Sequence, residues 1–174
     1  MRLLPTTRTY QTATGKVQIC IASPHQFFLD HQQLLLDWNV PISYIILVLQ
    51  QSAVSFRESG DRVALEKDRL RRKIIRFGCN LIFSLQDLGY PSDLFDPRTG
   101  YPLLAPQRMI CDDNAVAKAI LNYEAIGEGE CSLLIHPIWQ HSVYPSTIVT
   151  SAPQDVVKLH VENITDALGW NSNN

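Results

Sequence analysis

Leu70, Ile74, Phe77, Leu81, Leu85 and Leu88 recur at spacings of three and four, the repeat of one helical face. A helix carrying them spans about residues 61–88, and Gly89 and Pro91 stop it. Ile75, Cys79, Ile82 and Phe83 widen its apolar arc in the second half. Glu66, Lys67, Asp68, Arg69, Arg71, Arg72, Lys73 and Arg76 crowd the first half, with Asp68 and Arg72 as an i,i+4 pair. Such a helix enters from solvent and ends buried, so it needs a flat apolar partner. The most apolar run of the chain, residues 42–50 (ISYIILVLQ), offers one. Its β-branched content predicts a central strand buried on both faces.

Shorter elements surround this pair. Residues 17–22 (VQICIA) read as a strand with Cys20 in the core. Ser23, Pro24 and Gln26 form a capping-box start, stapled by Ala22 and Phe27, for a helix reaching about Trp38. Phe27, His31, Leu34 and Trp38 share one of its faces, and His31 is read as a packed, hydrogen-bonded histidine. In residues 92–104, Asp96 caps a turn, Pro97 presets φ and Gly100 tolerates positive φ, predicting a hairpin. Residues 114–121 suit one short helix capped by Asp112, Asp113 or Asn114. Residues 131–136 and 143–151 read as strands. Residues 154–168 read as a surface helix with Val157, Val161, Ile164 and Leu168 on one side, and residues 171–174 are expected to fray. The order predicts an α+β fold, a small and mainly antiparallel sheet with a long packed helix. Residues 1–16 are read as an N-terminal arm and residues 17–170 as one domain.

Composition narrows the function classes. The formal net charge of -2 across 174 residues carries no nucleic-acid signature. The charge is uneven, however: residues 1–76 hold 11 Lys and Arg against 6 Asp and Glu, and residues 77–174 hold 4 against 11. That asymmetry suits either a solvated helix face or the docking of an acidic partner. No apolar run of membrane-spanning length occurs, and residues 1–16 lack a signal-peptide core, so a cytoplasmic location with no membrane role is the expectation. Cys20, Cys79, Cys111 and Cys131 form no CxxC pair, which excludes zinc-ribbon and thioredoxin patterns and leaves free thiols as the default.

Chemistry concentrates in residues 127–139 (GEGECSLLIHPIW). Glu128 and Glu130 would repel phosphate from the Gly-x-Gly turn, and no GxSxG, HExxH or EF-hand loop is present. A Cys131–His136 dyad is opposed by strand geometry, since residues five apart face opposite sides. A Cys131/His136/His141 zinc site fares no better. Cys111, beside Asp112 and Asp113, should have a raised thiol pKa and stay unreactive. Cys131 itself stands where a polar turn becomes an apolar strand. There it is either core filler or a soft thiolate ligand for a polarizable transition metal.

Two long motifs carry a family resemblance. Residues 88–100 (LGYPSDLFDPRTG) resemble the GYWADF/YIDPxSG segment of the methylmalonic aciduria and homocystinuria type D family, and residues 129–139 (GECSLLIHPIW) resemble its GxCKxxxHxxWG segment. Residues 143–145, 151–153 and 66–72 are also similar, and residues 17–48 more faintly so. The resemblance implies a modified nitroreductase-like fold without flavin, and no enzyme. It further implies an adaptor that accepts processed cob(II)alamin from the type C cobalamin-processing protein and directs it to methionine synthase or methylmalonyl-CoA mutase. In that picture Cys131, flanked by Gly129 and Glu130, supplies a cobalt–sulfur bond, and Asp96, Pro97, Gly100, His136 and Trp139 are the structural motif residues. The chain departs from the family pattern at Glu130, where some members have a second cysteine, and at Gln140, where the motif has glycine. It also lacks the long N-terminal extension of some members, which bears on a mitochondrial role. Readings from other classes are a flavin-dependent redox enzyme and a pure protein-interaction module in which Cys131 is filler.

Overall fold

The computed structural model describes residues 4–127 and 132–172. Strands β1 (Thr6–Thr12), β2 (Gly15–Ala22), β3 (Tyr44–Gln51), β4 (Ser92–Leu94), β7 (Val143–Thr150) and β8 (Asn171–Ser172) form one sheet in the order β4-β7-β3-β2-β1-β8. Every pairing in it is antiparallel. Strands β5 (Glu124–Ile126) and β6 (Leu133–Ile135) make a separate antiparallel pair. The helices are α1 (Gln26–Leu36), α2 (Asp61–Asp87), α3 (Asp113–Leu121) and α4 (Gln154–Ala167). The fold is α+β as expected, with the 27-residue α2 as its longest element. No helix among the described residues is long and apolar enough to cross a membrane.

Strand β3 lies inside the sheet with Ile45 to Leu49 fully buried, so its side chains face two cores. One core holds Ile46, Val48 and Ile148 against Ile74, Phe77 and Leu81 of α2 and Val157 and Val161 of α4. The other holds Leu47, Leu49 and Val149 against Phe28 and Leu35 of α1, Val116 of α3 and Leu134 of β6. Helix α2 follows its sequence stripe from Leu70 to Leu85, then stops in a Schellman turn: Gly89 N bonds to Gln86 O and Tyr90 N to Leu85 O. Leu88, the last residue of the predicted stripe, and Phe83 on the widened arc are both exposed.

Tertiary packing overrides several local expectations. Residues 1–16, read as an arm, contain β1, which pairs with β2 along its whole length. Residues 171 and 172, expected to fray, pair with Tyr10 and Gln11, because the buried Trp170 stacks on Phe77 at 5.2 Å and draws the chain onto the sheet edge. Helix α1 starts after His25, with no side-chain cap, rather than after Ser23. The His25 ring packs edge-on to Phe28 at 4.9 Å, and Phe28, Leu35 and Leu36 are the buried residues instead of the Phe27/Leu34 face. His31 is half-buried and donates Nδ1–H to Phe27 O at 2.9 Å, in keeping with its packed reading. Asp68 pairs with Arg98 at 2.7 Å rather than with Arg72, because the 96–100 turn docks beside α2 and offers a better-placed guanidinium.

Candidate functional site

Strand β4 covers only the Ile148–Thr150 end of β7. The chain then turns away at Asp96, and a cleft of about 880 Å³ opens along the uncovered end, lined by Val143, Tyr144 and Pro145 of β7. The start of α2, the Pro97–Gly100 turn, the start of α3 and the start of β6 complete its walls.

The turn is rigid by construction. Asp96 is 7% exposed and accepts both Nε and Nη2 of Arg71 at 2.7 Å, a bidentate pair that ties the turn to α2. The Arg71 guanidinium holds the Asp96 carboxyl below the usual range, against the opposing effect of burial. The same carboxyl accepts Arg98 N, and Asp96 O accepts Thr99 N and Gly100 N, as the capped-turn reading requires. Gly100 has φ 77°, and a Cβ there would sit 3.0 Å from Cys111 O and Ile110 Cβ. Glycine is therefore demanded twice, by backbone and by space. Phe95 bridges Pro102, completing the hairpin expected from residues 92–104.

Asp112 caps helix α3, its carboxylate accepting Asn114 N and Ala115 N. Asp113 is partly exposed as a residue, yet its carboxyl turns inward and accepts Thr147 Oγ1 at 2.6 Å. Burial pushes this carboxyl up to about 8. Cys111 is buried, and its thiol is raised well above its usual value, first by burial and then by Asp113 and Asp112. The reading of Cys111 as an inert thiol agrees, with burial as the main cause. Asn114 Nδ2 donates to Ser132 O at 2.8 Å and to Ser132 Oγ at 3.1 Å, fixing the approach to β6 at the cleft rim.

Gly129, Glu130 and Cys131 lie outside the described residues, as does Glu128. Ser132, the next residue, lines the cleft together with Pro97 and Gly100, so the two sequence motifs meet there. His136 and Trp139 do not line it. The expected strand 131–136 is described as β6, three residues long, and His136 instead opens a turn closed by reciprocal bonds with Gln140. His136 Nδ1 accepts Ile138 N and Trp139 N at 3.1 and 3.0 Å, so Nε2 carries the proton and donates to Gln18 Oε1 at 2.9 Å. The ring stacks on Trp139 at 4.0 Å, and burial lowers its pKa to about 4. Both ring nitrogens are thus committed, and His136 organises a turn rather than activating a thiol. Among the described residues no group of three His, Cys, Asp or Glu could hold a metal.

The model for the methylmalonic aciduria and homocystinuria type D protein family matches residues 8–162. The chain belongs to that family. No curated protein matches it. The family works in cobalamin metabolism, and its members are known for trafficking cobalamin rather than as enzymes. The position after Trp139, where the family motif has glycine, holds Gln140 at φ 53°, a left-handed conformation that glycine adopts more readily. Sequence reading found the Asp96 turn and His136 but missed their partners. Arg71, Gln18 and Thr147 lie 25, 118 and 34 residues from the groups they hold. No local spacing marks such pairs.

Proposed function

We propose that this protein is a cobalamin-trafficking adaptor in which the Cys131 thiolate takes an axial position of cob(II)alamin. The family match carries the reading, because it runs through both motifs and the segment holding Cys131. The cleft and the Asn114 anchor support it: the residue after Cys131 is held at the rim of a space open to a large ligand. On ligation the thiol loses its proton to solvent and sulfur donates an electron pair to cobalt, displacing an axial ligand with no change of oxidation state. A soft thiolate suits that metal. The partner is the type C cobalamin-processing protein or its equivalent, which presents the corrinoid. Methionine synthase or methylmalonyl-CoA mutase is the destination. The protein acts in the cytoplasm as one domain and carries cobalamin transiently, without flavin. The test mixes it with cob(II)alamin, with and without the processing protein, and records visible and electron paramagnetic resonance spectra. A thiolato-cobalt signature that disappears in Cys131→Ser supports the reading. The same signature in the variant overturns the role of Cys131.

A further inference from the structure

Beyond the single cobalt–sulfur bond, we infer that the cleft beside β7 seats the uncharged carboxamide rim of the corrin ring; this rests on the proposed cobalamin role. The volume of about 880 Å³ lies at the upper end of small-molecule sites. It suits one edge of a macrocycle rather than a whole cobalamin. The lining mixes apolar and polar surface, and its two charges without an ion-pair partner among the described residues, Lys67 and Asp112, are opposite in sign. Arg71 is closed on Asp96 and Arg98 on Asp68, so an anion would have to break an ion pair to gain either guanidinium. Lys67 lies over the Phe56 ring at 5.4 Å. The inward carboxyl of Asp113 accepts a hydrogen bond from Thr147, and burial favours its uncharged form.

Besides Lys67 and Asp112, whose charges offset each other, a ligand meets neutral donors and acceptors from Thr99, Asn114, Ser132 and Tyr144. His141, also in the lining, has an Nδ1 without a hydrogen-bond partner among the described residues. Acetamide and propionamide side chains of a corrin offer one donor and one acceptor group each and no charge. They match this lining better than a phosphate or a carboxylate does, since the lining holds no surplus of positive charge beyond its ion pairs and the offsetting Lys67 and Asp112. Pro145 removes one backbone donor from the open edge of β7, which discourages an added peptide strand there.

The probe is dicyanocobinamide, whose cobalt already holds cyanide on both faces and whose nucleotide tail is absent, so neither thiolate nor phosphate-linked base contributes. Titrated into the full chain and into Cys131→Ser, it should shift the backbone amide resonances of Thr99, Asn114 and Ser132 in both. Ala64→Trp, which fills the cleft from an exposed position on α2, should weaken binding at least tenfold. Absent shifts, shifts confined to another surface, or equal binding by Ala64→Trp would overturn the inference. Displacement of the probe by inorganic phosphate would also overturn it, in favour of an anion site. A cleft that binds the probe while the cob(II)alamin spectrum ignores Cys131→Ser would instead leave this inference standing and remove the thiolate reading.

Discussion

The two faces of the six-stranded sheet are built by different means. One is covered by α2 and α4, long amphipathic helices whose buried residues are mostly aliphatic or aromatic. The other is covered by two short helices, the β5–β6 pair and the His136 turn, and holds the part-buried Asp113–Thr147 and His136–Gln18 contacts. The first face gains stability from apolar area, which is non-directional and insensitive to pH. The second gains shape from hydrogen bonds between groups distant in sequence, and each unmade bond there is costly.

If that division is right, the largest loss follows from cutting the first face. Phe77→Ala removes a fully buried ring stacked on Trp170 and should cost about 3–5 kcal/mol, read by chemical denaturation. A loss below about 1 kcal/mol would mean that α2 is not the main support. On the second face, His136→Leu keeps apolar bulk but strands Ile138 N, Trp139 N and Gln18 Oε1. It should cost about 2–3 kcal/mol by the same measurement.

Acidity should separate the faces next. His136 has a folded pKa near 4, below its unfolded value, so the unfolded chain binds the proton more readily. The stability held by the neutral ring is present above about 6.5 and is lost as pH falls towards 4. Asp113 has the opposite sign. Its folded pKa of about 8 lies above the unfolded value of 3.8, so its contribution declines as pH rises between those values. The slope from this group is at most about 1.4 kcal/mol per pH unit. Asp113→Asn should remove the decline between about 3.8 and about 8 and leave the opposing rise from His136 between about 4 and 6.5 more visible. Unchanged profiles in both variants would place the pH response elsewhere. The smallest effect is a gain: Gln140→Gly relieves a left-handed backbone at φ 53° and should raise stability by about 0.5–1 kcal/mol, seen as a small rise in Tm.

The asymmetry also explains what could be read in advance. The stripe from Leu70 to Leu85, the β3 run, the Asp96 turn and the short helix capped within residues 112–114 were all legible, because each is written in residues within a few positions of one another. The start of α1 was misplaced because a local capping signal at Ser23 yielded to aromatic packing around Phe28. Residues 171 and 172 were expected to be loose, since nothing nearby announces that Trp170 finds Phe77.

The sequence by itself determined the α+β class, the covered central strand, the two family motifs and the candidate thiol at Cys131. Periodicity and short-range turn chemistry suffice for elements, and motif order suffices for a family. Only the tertiary structure decided that Ser132 and the Pro97–Gly100 turn line one cleft, and that Arg71, Thr147 and Gln18 hold Asp96, Asp113 and His136. The reason is physical. A buried polar group must find a partner wherever the fold brings one, and the register of antiparallel strands, rather than any local code, chooses which residue that is.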